Sequence, residues 1–190
     1  MKYPERAITI RKYELTKKIC LLGDPSVGKT SLIRRFVLDE FDDSYITTIG
    51  TKVTKKEMVI QVPERDVEVF LTLMIWDVAG QQEYKMFHKM YLKGVEGSFS
   101  VCDLTRKDTV NSMKKYVTVV KENAGEVPII FLFNKADLPD QAQVKVEEVQ
   151  KVESLKHIPC FKTSAKTGEQ VAESFTKMGE MLVEKWLNKY

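Results

Sequence analysis

Three stretches of this chain carry residue types that can hold a phosphorylated ligand, and each points at a different part of it. Residues 23 to 31 read Gly-Asp-Pro-Ser-Val-Gly-Lys-Thr-Ser, which fits the spacing G-x-x-x-x-G-K-[ST]. A glycine-containing turn aims consecutive backbone N–H groups at phosphate oxygens, and the helix that follows adds the positive end of its dipole. In such a loop Lys29 reaches the β- and γ-phosphates and Thr30 holds Mg²⁺, with Asp24, Ser26, Val27, Gly28 and Ser31 in the same turn. The second stretch, Trp76-Asp77-Val78-Ala79-Gly80-Gln81, delivers an acid at the end of a long apolar run and then a glycine loop, a second phosphate-site signal. The third is a pair, Asn134-Lys135-Ala136-Asp137 and Thr163-Ser164-Ala165-Lys166. The Asp137 carboxylate can accept two hydrogen bonds, from the N1–H and 2-amino group of guanine, whereas adenine offers no such pair. Alone, the tetrapeptide at 134–137 is more often a plain turn; behind a phosphate loop it reads as a base site.

These residues need elements to place them, and the hydrophobic pattern supplies those. Lys17 to Leu22 reads as a buried strand feeding the phosphate loop, and Leu32, Phe36 and Val37 give Ser31 to Leu38 an apolar helical face. That strand, loop and helix order separates the motif from a chance glycine turn. Asp39 to Ser44 is polar and turn-like, and Tyr45-Ile46-Thr47-Thr48-Ile49-Gly50 is an exposed segment leading into a strand. Residues 58–62, a turn at 63–66 and residues 67–76 read as an antiparallel hairpin, with Lys52, Lys55 and Lys56 as a solvated edge. Residues 98–103 and 129–133 are near-continuous apolar runs among 3.6-period segments, so the chain alternates β and α and implies a mainly parallel sheet. Residues 144–155 are expected to be helical and 157–163 a short last strand; positions 171, 175, 178, 182 and 186 form the apolar stripe of a final helix. The sites at 134–137 and 163–166 then both follow the carboxyl ends of parallel strands, where open α/β sheets bind ligands.

Composition narrows the classes. A chain of 190 residues, 43% hydrophobic and 30% charged, suits one globular domain. The expected division is an N-terminal extension at 1–13, loose or along a sheet edge, and a single domain at 14–190. Thirty basic against 27 acidic residues leave a net charge of +3, too even to imply nucleic-acid binding. No signal-peptide core opens the sequence and no apolar run approaches membrane-spanning length, so a cytoplasmic location is expected. Cys20, Cys102 and Cys160 each sit in apolar runs and read as reduced core residues. His88 and His157 are the only histidines and have no ligand-type companions, which removes Ser-His-Asp and Cys-His nucleophilic catalysis.

Taken together, 23-GDPSVGKT-30, 48-TIG-50, 76-WDVAGQ-81, 134-NKAD-137 and 164-SAK-166 resemble the small GTPases of the Ras superfamily over about residues 14 to 188, the Rab branch most closely. The resemblance implies an α/β fold: a six-stranded, mostly parallel sheet with one antiparallel strand and helices on both faces, binding GTP or GDP with Mg²⁺. It makes Lys29 the phosphate lysine, Thr30 and Thr48 direct Mg²⁺ ligands and Asp77 a ligand through water. Gly80 would offer its N–H to the γ-phosphate and Gln81 would orient the attacking water. Phe41 falls where the family stacks a ring on guanine, although a bare phenylalanine could equally be core, and Tyr45 stands in the same nucleotide-facing segment. Lys135 would cover the other face of the base, Asn134 would tie loops together, and Ala165, between Ser164 and Lys166, would donate its N–H to the guanine carbonyl. The segments at Thr48 and at Gly80 to Tyr84 would be two switches, and the implied partners are effectors, an exchange factor and a GTPase-activating protein.

Some positions depart from that pattern. Pro25 stands where the family usually carries glycine or a small residue, removing an N–H and adding a ring beside the γ-phosphate. Gln82 replaces an acid that exchange factors use, and Val53 replaces the phenylalanine that joins Trp76 and Tyr91 in the Rab effector patch. The hairpin is longer than the family's, around Val62 to Glu68, and the sequence ends at Tyr190 without C-terminal cysteines, so no membrane anchor is expected from it. No arginine is evident for the transition-state charge, which makes the expected chemistry slow without a partner. Against the switch reading stand an idle nucleotide-binding module, suggested by Pro25 and Gln82, and an ATP-using P-loop kinase, for which Arg106 and the other arginines form no lid.

Overall fold

A strand covered on both faces has no polar side to show. That is the state of two neighbouring strands of this protein: β4 (Gly97–Asp103) and β5 (Ile129–Asn134) are buried at every position. Around them the computed structural model, which describes residues 9–42, 48, 50–78, 88–150 and 155–189, arranges β1 (Arg11–Leu22), β2 (Thr51–Val62), β3 (Val67–Val78) and β6 (Cys160–Lys162). The six strands form one sheet in the order β2-β3-β1-β4-β5-β6. Only the β2–β3 pair is antiparallel, which is the expected fold class.

Helices cover both faces. On one side α1 (Lys29–Leu38) and α5 (Val171–Leu187) pack Leu32, Phe175, Met178 and Leu182 against Leu21, Leu71 and Phe99. Phe175 is the hinge pin of that core, stacked on Phe36 at 4.0 Å and tilted against Phe99 at 4.6 Å between ring centres. On the other side α2 (His88–Leu92), α3 (Lys107–Ala124) and α4 (Val146–Gln150) bring Leu92, Met113, Val120 and Val149 onto Cys20, Phe131 and Phe133. Of the stripe read from the sequence, Val171, Phe175, Met178 and Leu182 are buried.

The amino-terminal boundary differs from the expectation. β1 begins at Arg11, inside the stretch read as an extension, and pairs with β3 in parallel from Arg11↔Val67 to Leu21↔Asp77. The cause is the long hairpin: two strands projecting alone would be marginal, and the early residues of β1 give the projection a third strand. Arg11 N–H bonds the Asp66 carbonyl at 2.8 Å, Tyr13 packs edge-on against Trp186 at 5.0 Å, and Arg65 bonds Asn188 at 2.7 Å. The hairpin tip is thereby tied to the end of α5. β6 is shorter than residues 157–163, and α4 covers Val146–Gln150 of the expected 144–155, of which 151–154 lie outside the described residues. Cys20 and Cys102 are buried free thiols and Cys160 a half-buried one; burial pushes the Cys20 thiol up to about 11.

Candidate functional site

The carboxyl ends of β1, β3, β5 and β6 converge on one edge of the sheet, and the sequence's candidate residues lie there in two groups. At the first, β1 turns into α1 through residues 23–28. Close packing demands glycine at both ends of this turn: a Cβ on Gly23 would sit 2.4 Å from the Val101 carbonyl oxygen, and one on Gly28, whose φ is +96°, would sit 2.2 Å from Asn134 Nδ2. Ser26 also holds a positive φ of 62°. The loop wraps Lys29, which is 7% exposed and donates from Nζ to the carbonyls of Gly23 at 2.8 Å and Asp24 at 3.0 Å. Burial pushes its ammonium down to about 8, against the pull of the Asp77 and Asp24 carboxylates.

Beside Lys29 the structure gathers Thr30, Thr48 and Asp77 from three separate elements. Thr30 Oγ1 lies 2.8 Å from Thr48 Oγ1 and donates to Asp77 Oδ2 at 2.5 Å. Asp77 is 2% exposed, its Oδ1 has no hydrogen-bond partner, and burial raises its pKa despite the Thr30 bond. Two hydroxyls and a carboxylate are hard oxygen donors of the kind Mg²⁺ takes while keeping several waters. The orphaned buried oxygen is what such an ion would satisfy, so these residues fit Mg²⁺. Among the described residues no cluster of three or more His, Cys, Asp or Glu forms another metal site.

The second group reads the far end of a ligand. Asn134 Nδ2 donates to the Val27 carbonyl at 2.9 Å, and its Oδ1 accepts from the Ala165 N–H at 3.2 Å, so this side chain links phosphate loop to base loop. Asp137 Oδ1 accepts from the Ser164 hydroxyl at 2.6 Å. Lys135, at a φ of 68°, holds its ammonium 2.6 Å from the buried Asp103 carboxylate. Burial works to raise the Asp103 pKa, but bonds from Lys135 and Thr105 outweigh it and hold the carboxyl below its ordinary value.

Not every expected residue joins these groups. Phe41 packs half-buried against the core beside α1 and α5. Tyr45, Gly80 and Gln81, with Gln82 to Tyr84, lie outside the described residues. Four contributors were not read from the sequence. Tyr116 on α3 donates to Asp24 Oδ1 at 2.9 Å, Arg106 donates to the Pro25 carbonyl at 3.1 Å, Asp103 orients Lys135, and Arg35 holds the 164–166 loop. None has a sequence motif, because each acts across more than 30 positions of chain or through a tertiary contact.

Comparison with known proteins bears on this arrangement directly: the model of the Ras family matches residues 18–184. The chain belongs to that family of small GTPases. It is similar to the Ras-related protein Rab-15 of Rattus norvegicus and of Homo sapiens, each 33% identical over 175 residues, covering 92% of this chain and 80% of the relative. The Mus musculus protein of that name is 34% identical over 176 residues, with the same coverage. The P-loop small-GTPase fold and the Rab-like character follow. Ras-family proteins bind guanine nucleotides and Mg²⁺ and act as GTP-binding switches. No helix among the described residues is long and apolar enough to cross a membrane.

Proposed function

We propose that this protein binds and slowly hydrolyses GTP and recruits partner proteins in its GTP form, in vesicle trafficking or polarity. The observation that carries this reading is that Lys29, Thr30, Thr48 and Asp77 meet in one group, while Asn134, Asp137 and Ser164 form a second that Asn134 bonds to the phosphate loop at Val27. Each group suits one part of GTP, and Asn134 fixes the span between them.

In this reading residues 24–31 cradle the phosphates through backbone N–H groups and the dipole of α1, with Lys29 supplying a buried charge. Thr30, Thr48 and Asp77 would hold Mg²⁺, which when bound neutralises phosphate charge. Gln81 orients the attacking water and Gly80 offers an N–H to the γ-phosphate. Loss of that phosphate removes what tethers Thr48 and Gly80, so two surface segments relax and partners dissociate. Asp137, Ser164, Ala165, Lys166 and Lys135 select guanine, with Tyr45 as a further nucleotide contact. Effectors, an exchange factor and a GTPase-activating protein are the partners proposed, and the protein works in the cytoplasm, meeting membranes through them. The reading places these functions in a single domain, expected from the sequence at 14–190 and extended by the start of β1 at Arg11.

Exchanging Asp137 for asparagine tests this. The amide turns an acceptor oxygen into a donor, which opposes the 2-amino group of guanine and suits the carbonyl that xanthine carries there. Competition among GTP, xanthosine triphosphate and ATP should show preference moving from GTP to xanthosine triphosphate by more than about tenfold, since a buried unpaired polar group costs about 1–3 kcal/mol. An unchanged order of the three nucleotides would sink the assignment.

A further inference from the structure

Arg35 lies one turn before the end of α1, and its guanidinium reaches out of the helix into the loop after β6. Nε donates to the Ala165 carbonyl at 2.9 Å and Nη2 to the Lys166 carbonyl at 2.7 Å. Nη1 donates to the Asp39 carbonyl and to its Oδ1, each at 3.0 Å. The side chain is 17% exposed. Four bonds from one planar group fix its own orientation and, with it, two successive carbonyls of the loop; a lysine ammonium has neither the fork nor the reach for both.

Those carbonyls determine where the loop's donors point. In a planar trans peptide the C=O and the following N–H face opposite ways, so a grip on the Ala165 carbonyl turns the Lys166 N–H away from Arg35. That N–H has no backbone partner among the described residues. The Ala165 N–H faces Asn134, and Ser164 bonds Asp137. The loop is thus held between Asn134 and Asp137 on one flank and Arg35 on the other, and among the described residues Arg35 is the side chain of α1 that hydrogen-bonds it.

We infer that Arg35 is a positioning residue for base selection: it fixes the 164–166 backbone so that its N–H groups meet a purine carbonyl acceptor and oppose a purine amino donor. This rests on the guanine-binding reading above. Guanine carries the acceptor at that position and adenine the donor, so a loop held in place separates the two bases and a loosened one separates them less.

The experiment is competition of GTP and ATP for the purified full chain and for Arg35→Ala and Arg35→Lys, with melting temperatures alongside. The GTP-over-ATP preference should fall about tenfold in Arg35→Ala, the effect of roughly one well-made hydrogen bond, through weaker GTP binding with ATP binding little changed. Arg35→Lys, which keeps the charge and can hold one carbonyl, should fall between. If Arg35→Ala does not fold, Arg35→Lys decides alone. Equal weakening of both nucleotides, leaving the ratio at its wild-type value, would overturn the inference and make Arg35 a plain structural tie. A wild type that binds ATP as well as GTP overturns the guanine reading itself, a different result seen in a different protein of the same assay.

Discussion

Single residues here act by position more than by kind. Gly28 is required because its φ of +96° is left-handed and a side chain there would run into Asn134 Nδ2 at 2.2 Å, the atom that ties the two halves of the site. Gly28→Ala should therefore lose nucleotide affinity by well over tenfold and lower the melting temperature of the empty protein too; a variant that binds as wild type would mean the loop can move Asn134 without consequence. Asp103 shows the electrostatic counterpart. Its carboxyl is held below the ordinary value by Lys135 and Thr105 in spite of burial, so the folded state binds that proton less readily than the unfolded one. The resulting stability is present above the unfolded pKa of about 4 and fades as pH falls through the lower folded value. Asp103→Asn should destabilise the protein by about 1–3 kcal/mol near neutral pH, and the gap in urea midpoint should narrow on acidification below about pH 4. Midpoints that run parallel down to acid pH would show that the ion pair contributes nothing to folding.

At the level of elements, the parallel strands and the two main helices could be read because their signal is local: the continuous apolar runs at 98–103 and 129–133 and the stripe from Val171 to Leu182 need no knowledge of partners. The candidate phosphate, base and metal residues could be named for the same reason, each lying within a short motif. The early start of β1 was not. Arg11 and Lys12 look like solvent-facing extension, and they become strand only because the long β2–β3 hairpin offers an edge at Val67 and Glu68. Arg35, Tyr116 and Arg106 escaped notice similarly, since a lone arginine or tyrosine carries no sign of the carbonyl or carboxylate it will meet. The hairpin arrangement makes its own prediction. Tyr13 packs on Trp186 while Arg11 and Arg65 bond across the tip, all far from the site along β1. Tyr13→Ala should speed hydrogen exchange in Arg11–Leu15 and Val67–Leu71 while leaving nucleotide affinity within about twofold. Unchanged exchange there would mean the third strand is held by its backbone ladder alone.

The whole molecule gathers its buried apolar side chains in two clusters flanking the sheet, and at the site it leaves a buried carboxylate oxygen without a partner. Lys29 and Asp77 are 7% and 2% exposed, and Asp77 Oδ1 lacks a partner. Buried charge without full pairing costs free energy, by about 1–3 kcal/mol or more for an unmatched polar atom. A ligand that supplies phosphate oxygens to Lys29 and a cation to Asp77 removes it, and by mass action stabilises the native state further by RT ln(1 + [L]/Kd). The stripped protein should therefore melt well below the same protein with GDP and Mg²⁺. Asp77→Asn separates the two contributions, because an amide is far cheaper to bury than a carboxylate and can still accept from Thr30 through its oxygen. Stripped Asp77→Asn should melt at or above stripped wild type, yet gain much less on adding Mg²⁺ to the GDP-bound form. Melting curves of both proteins, stripped, with GDP and chelator, and with GDP and Mg²⁺, give all the comparisons at once. If stripped Asp77→Asn melts below stripped wild type, Asp77 is a structural acid whose burial is already compensated, and the strain at this edge of the sheet is not what nucleotide and metal relieve.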